Sequence, residues 1–320
     1  KIYFKIVESN LKKWYNIQKI SVRGNMQGII TENKSNLYSI KAMNGAIYNS
    51  VARGKFKTEN LIPVVGDNVE FEIINEEKKE AVIEKIKERR VYIKRPKMSN
   101  ITQLVLVISC KHPKPDLLLL DKQLAFAEFL KIRPIIVLNK IDQDTKGEFK
   151  KIEEIYSKLG YKVIKTNAKE NVGVNFLLKE LKDKISAFSG NSGVGKSTLI
   201  NAIFADTITQ EGEISLKNKK GKNTTTGTRL YEIDKNTFIA DTPGFSTFDI
   251  FEINYKELYK YFVEFVEFEK DCGFVGCSHV GEKDCGIKMA VEKQKIDLQR
   301  YENYVKIYKE LKEKEDNKYR

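Results

Sequence analysis

Residues 190–198 read GNSGVGKST and residues 139–142 read NKID, two strings whose side chains suit one nucleotide. The first has the spacing Gly-x-x-x-x-Gly-Lys-Ser, after an apolar stretch and before a helical pattern. Gly190, Asn191, Ser192, Gly193, Val194 and Gly195 can turn backbone N–H groups inward around phosphate oxygens, with the positive end of a helix behind them. On that template Lys196 reaches the β and γ phosphates, Ser197 offers its hydroxyl to Mg²⁺, and Thr198 sits beside it in the cradle. Downstream, KNTFIADTPGF sets Asp241 at the end of an apolar strand, 44 residues beyond Ser197, where a carboxylate holds the metal through its water. Gly244 comes next with an N–H aimed at the γ phosphate. Between them lies the polar, lysine-rich stretch EGEISLKNKKGKNTTTGTRL, read as a switch loop in which one of Thr224, Thr225 and Thr226, with Thr225 preferred, completes the Mg²⁺ shell.

The second string reads a base. In PIIVLNKID an apolar strand delivers Asn139, Lys140 and Asp142 to its C-terminal end, where parallel sheets bind ligands. The Asp142 carboxylate can accept from guanine N1–H and the exocyclic amine, which adenine does not offer, so GTP is expected over ATP. The stem of Lys140 can cover the ring, and Asn139 can tie the two loops together. After the next strand, VIKTNAKE offers the Asn167 and Ala168 backbone to the base edge.

The base reader precedes the phosphate loop, the reverse of the familiar order. From Ile101 onward, apolar runs alternate with helical patterns: ITQLVLVIS, DKQLAFAEFLKI, RPIIVLNK, FKKIEEIYSKLG and YKVIKTNA. That texture signals a parallel sheet with crossover helices, whose first and last elements lie close enough for the chain ends to be relocated. A circular permutation therefore keeps every pocket strand in place. It also makes the segment after Gly244 the route from the nucleotide domain into the C-terminal part of the chain.

That C-terminal part contains DCGFVGCSHVGEKDCGIK, with Cys272, Cys277, His279 and Cys285 on one compact loop between two helical segments. Three thiolates and an imidazole are the donor set of a closed, structural Zn²⁺ site. Cys110 and His112 stand apart and read as ordinary residues. Aromatic residues in YKELYKYFVEFVEF and LQRYENYVKIY recur at three- and four-residue spacing and read as core packing. Before the sheet, residues 24–95 carry short strand-like runs with Gly, Asn and Asp turns, as in a small antiparallel barrel. The fold expected is multidomain α+β: an extension over residues 1–22, a small antiparallel β-barrel over 23–98, a permuted P-loop α/β domain over 99–250, and a helical zinc-binding module over 251–320.

Composition narrows the partners. The net charge is +13, and residues 1–100 hold 20 Lys and Arg against 11 Asp and Glu, so the basic surplus is mostly N-terminal and attracts polyanions. No apolar run reaches membrane-span length and no secretory leader is evident, which together with reduced cysteines reads as a cytoplasmic protein. Two other readings remain at this level: a P-loop kinase or ATPase with a basic lobe for an acidic substrate, and a nucleotide-regulated RNA-binding scaffold with negligible hydrolysis.

Taken together, ARGKF, PVVGDNVE, NKID, GNSGVGKST, TTT, DTPGF and the Cys/His cluster resemble the RsgA (YjeQ/YloQ) family of circularly permuted GTPases, over nearly the whole chain from about Gly24. That resemblance implies that the barrel over 23–98 is OB-like and RNA-binding, in a monomer that binds the 30S ribosomal subunit and its 16S rRNA, hydrolyses GTP to GDP under ribosome stimulation late in subunit maturation, and then leaves. Two positions depart from expectation. Phe245 stands where many GTPases use Gln to orient water, and Asn223 stands where the family has a His proposed to be catalytic. An amide at Asn223 orients water but takes no proton at neutral pH, which implies slow intrinsic turnover.

Overall fold

The computed structural model describes residues 26–54, 56, 61–211, 228–241 and 250–318. The chain divides between Arg90 and Val91 into two compact units.

The first unit is a five-stranded barrel: β1 (Met26–Lys34), β2 (Leu37–Ala42), β3 (Ile47–Ala52), β4 (Asn68–Asn75) and β5 (Glu80–Ile86). Neighbours run β1-β2-β3-β5-β4, and β4 pairs back onto β1 to close the sheet. β3 and β5 pair in parallel and the other pairs are antiparallel. The strands alternate buried and exposed residues, as period-two side-chain geometry requires, and point Ile30, Tyr38, Ile40, Tyr48, Val69, Phe71 and Ile83 inward. Asp67 is fully buried, with Arg89 donating to both its carboxylate oxygens at 2.7 and 2.8 Å, so its charge is matched where it lies.

The second unit opens with a hairpin, β6 (Tyr92–Lys94) and β7 (Lys97–Ser99). Its main sheet then alternates strand and helix: β8 (Gln103–Ser109), α1 (Leu117–Leu130), β9 (Arg133–Asn139), α2 (Glu148–Lys158), β10 (Lys162–Thr166), α3 (Val174–Leu181), β11 (Ile185–Ser189), α4 (Lys196–Glu211), β12 (Arg229–Asp234) and β13 (Thr237–Asp241). The spatial order is β10-β9-β8-β11-β13-β12, parallel except for β12 against β13. β8 and β9 are near-continuous apolar runs because both faces of a parallel sheet are covered; Val105, Val107, Ile135 and Val137 are wholly buried among Phe188, Leu199 and Ile203. The chain walks outward through β9 and β10 and returns to lay β11 beside β8. That reversal opens a crevice at the carboxyl ends of β8, β9 and β11, the usual ligand position in an open α/β sheet. It is also how a permuted chain seats its phosphate-loop strand in mid-sheet.

The same unit ends in short 3-10 turns (Ile250–Glu252, Tyr255–Tyr261, Val263–Phe265 and Glu269–Asp271) and two helices, α5 (Gly286–Glu292) and α6 (Leu298–Lys318). Here the structure differs from the expected helix before the cysteines. The YKELYKYFVEFVEF aromatics sit on successive 3-10 turns, whose tighter winding brings residues three apart together. Phe262 and Phe265, with ring centroids 5.3 Å apart, pack on Tyr304 of α6 as a fully buried cluster, so the aromatic stripe there is core. Among the described residues no helix is long and apolar enough to cross a membrane.

Candidate functional site

The loop after β11 is built on backbone conformations that favour glycine. Gly190 and Gly195 have φ of +140° and +97°. A Cβ on Gly190 would strike the Val107 carbonyl of β8, and one on Gly195 would strike Asn139 Nδ2. Both positions therefore need the missing side chain for space as well as for conformation. Val194 is buried and plugs the loop onto the sheet, while Ser197 and Thr198 are exposed in the first turn of α4. Lys196 folds back over the loop and donates to the carbonyls of Gly190 (2.5 Å) and Asn191 (2.9 Å). Burial lowers its pKa from the ordinary lysine value, so an anion in the cradle gains a partly desolvated ammonium.

The base string arrives at the same place from β9. Asn139 is buried; its Nδ2 donates to Val194 O in the phosphate loop (2.9 Å), and its Oδ1 accepts from Thr166 Oγ1 (3.0 Å) and from the Ala168 N–H (3.3 Å). One side chain thus joins three loops. Lys140 takes a left-handed φ of 64° and lies across the crevice, donating to Gly193 O (2.6 Å) and His112 O (2.5 Å). Asp142 stands exposed in the 3-10 turn Ile141–Gln143. Asn167 closes a tight turn with Val172 through paired 3.0 Å backbone bonds, which presents the Ala168 backbone toward Asn139. Base string and phosphate string share one crevice although about 50 residues part them in sequence.

The RsgA GTPase family model matches residues 86–251, and the model of the RsgA N-terminal domain matches residues 27–83. This chain belongs to the RsgA GTPase family. A relative from Caldanaerobacter subterraneus subsp. tengcongensis, named small ribosomal subunit biogenesis GTPase RsgA, is 39% identical over 92% of this chain and 99% of its own length. The crystal structure of YjeQ from Thermotoga maritima superposes with a TM-score of 0.78 at 37% identity, covering 90% of this chain and 98% of that one. That of YloQ, described as a circularly permuted GTPase, gives 0.76 at 31% identity over 91% and 96%. Membership in a GTPase family sets aside both the metabolic kinase and the scaffold with negligible hydrolysis.

Several residues the sequence singled out in this RsgA-family chain fall outside the described set: Asn223, Thr225, Gly244 and Phe245, as does the side chain of Asp241 at the end of β13. The four metal-ligating candidates are together. The donor atoms of Cys272, Cys277, His279 and Cys285 all lie within 4.8 Å of one another. His279 Nδ1 is 3.5 Å from both Cys272 Sγ and Cys285 Sγ, and those sulfurs are 4.0 Å apart. Donors held 2.0–2.3 Å from one tetrahedral centre would be spaced by about 3.3–3.8 Å, so the group could hold a metal ion. The Gly286 N–H points at Cys272 Sγ at 3.3 Å, as expected beside a thiolate. Tyr301 and Tyr304 of α6 donate to the carbonyls of His279 and Ser278, pinning the loop on the helix.

Four supporting residues escaped the sequence reading. Asp116 caps α1 by accepting from Leu119 N (2.9 Å), and its other oxygen takes Asn191 Nδ2 of the phosphate loop (3.1 Å). Asp144 caps α2 through Glu148 N and Phe149 N and accepts the Cys110 thiol at 3.3 Å. Gln123 of α1 donates to Ser189 at the end of β11 (2.8 Å). His112 contributes a carbonyl. The two aspartates were findable as Asp ahead of apolar helical runs; Gln123 and the His112 carbonyl carry no sequence signal. Burial and the bond to Asp144 push the Cys110 thiol up to about 12, so it stays protonated at neutral pH.

Proposed function

We propose that this chain binds GTP in the crevice between β9 and β11, hydrolyses it to GDP and phosphate, and uses the cycle to time its departure from a maturing 30S subunit in the cytoplasm. The observation that supports the reading is that Asn139 and Lys140 donate to the carbonyls of Val194 and Gly193, which ties the proposed base reader to the proposed phosphate cradle. Asp142 takes the guanine edge, the stem of Lys140 covers its face, and the Ala168 backbone faces the base rim. The N–H groups of residues 190–198 hold the phosphates, and Lys196 exchanges its two carbonyl partners for phosphate oxygens. Ser197 and Thr225 would hold Mg²⁺, with Asp241 through water; bound there, the ion offsets charge developing on the phosphates. Gly244 contributes its N–H at the γ phosphate. Asn223 orients the attacking water, and ordering of its loop by the ribosome accelerates an otherwise slow step.

The Cys/His centre is read as one structural Zn²⁺ site, because three cysteines and a histidine form a closed donor set gathered within 4.8 Å, with both His279-to-sulfur spacings at 3.5 Å. The barrel, in a chain of net charge +13, is read as the 16S rRNA-binding part of a monomeric factor. The test is nucleotide preference and particle binding together. Asp142→Asn should lower GTP affinity by about 10²-fold or more while gaining xanthine nucleotides, and co-sedimentation should favour 30S over 50S with a non-hydrolysable GTP analogue over GDP. Unchanged preference in Asp142→Asn, or equal single-turnover rates with and without 30S subunits, overturns the proposal.

A further inference from the structure

The C-terminal module contacts the nucleotide-binding sheet through a buried polar node centred on Asp121, which is 1% exposed in mid-α1. Its Oδ1 accepts from Arg300 Nη1 of α6 (2.5 Å) and from Tyr156 OH of α2 (2.7 Å), and its Oδ2 accepts from Asn303 Nδ2 of α6 (2.7 Å). Arg300 is itself buried. Its remaining donors grip Glu264 of the module at 2.7 and 2.8 Å, and its guanidinium lies over the rings of Phe262 and Tyr156. One carboxylate thus unites α1, α2 and α6. Beside it, α2 and the module flank an open groove of about 840 Å³, lined among others by Glu154, Lys158, Glu267 and Arg300 itself.

The helices held by this node carry the two halves of the crevice. α1 reaches the phosphate loop through Asp116 on Asn191 and β11 through Gln123 on Ser189. α2 is capped by Asp144, whose own N–H bonds Ile141 O in the base-reading turn. On the far side, Tyr301 and Tyr304 of α6 fasten the Cys/His loop. We propose that Asp121, Arg300, Asn303 and Tyr156 are positioning residues: a clasp through which nucleotide occupancy and the C-terminal module stabilise one another. The proposal rests on the guanine-nucleotide reading of the crevice. It gives the module a route to the site that does not run through the segment after Gly244. A coupling of this kind is reciprocal, so whatever factor the clasp adds to nucleotide affinity, nucleotide returns to α6.

Removing the Asp121 carboxylate would leave Tyr156 OH, Asn303 Nδ2 and Arg300 Nη1 buried without their acceptor and disrupt folding, so the test uses the wild-type chain and two mild variants. Hydrogen–deuterium exchange on the full chain, with and without saturating GDP, should show slowing at residues 139–145 and 190–198, and also about fivefold slowing at residues 298–306 of α6, which do not touch the nucleotide. Tyr156→Phe keeps the ring under Arg300 and loses only the hydroxyl; Asn303→Ala loses one donor. Each should weaken GDP binding about fivefold and blunt the α6 response while the chain stays folded at the assay temperature. If GDP protects 190–198 while α6 is unchanged in the wild type, or if both variants bind GDP as tightly as wild type, the clasp is overturned and the nucleotide site stands. Were GDP to protect neither 139–145 nor 190–198, both would fall.

Discussion

In the proposed GTP site, Lys196 illustrates how a side chain that would meet phosphate is kept ready. Its ammonium is held on two loop carbonyls and partly desolvated, so phosphate oxygens replace existing partners rather than recruit a loose chain. Lys196→Ala should therefore reduce single-turnover GTP hydrolysis by about 10²–10³-fold, measured as phosphate release. Gly195 makes the complementary point about space. Alanine there meets Asn139 Nδ2 at a φ of +97°, so Gly195→Ala must displace the side chain that links the two loops. GDP affinity should fall by about tenfold or more, corresponding to a strain of about 1–3 kcal/mol, as read by calorimetric titration. Retained affinity would mean that the Asn139–Val194 link does not shape the crevice.

Among the elements, the Cys/His loop shows how a segment with little regular structure is held. Glu282 accepts from the N–H groups of Ser278, Val280 and Gly281 and from the Ser278 hydroxyl. Burial works to raise its pKa, but these bonds outweigh it and hold the carboxyl at about 2, below the ordinary value of 4.5. A depressed folded-state pKa contributes stability above about pH 4.5 and loses it as pH falls toward about 2. Glu282→Gln should destabilise the module by about 1–2 kcal/mol at neutral pH. The gap from wild type should narrow below about pH 4.5, as followed by thermal melts across pH. A constant gap would show that the charge is not what organises the loop. The 3-10 turns ahead of it are held in turn by aromatic packing on α6, which explains why spacing alone suggested a longer helix.

At the level of the whole molecule, charge and connectivity are separate devices. If the barrel is the RNA-binding part, reversing its exposed lysines Lys34, Lys78 and Lys85 together weakens binding to 30S subunits. Each lost phosphate contact should reduce the slope of log affinity against log salt by about 0.9; an unchanged slope would place the contact elsewhere. The strings GNSGVGKST, NKID and the Cys/His spacing were enough to reach the GTPase family, because phosphate cradles, base readers and metal sites each demand particular residue types at short separations. The alternation of apolar runs likewise announced the parallel sheet. What sequence could not supply was the pairing of β11 beside β8, which unites strings far apart in the chain, or the burial of Asp121 against Arg300, 179 residues away. Those depend on long-range packing, where an aspartate in a helix and an arginine near the C-terminus look like two solvated charges until the fold removes water from both.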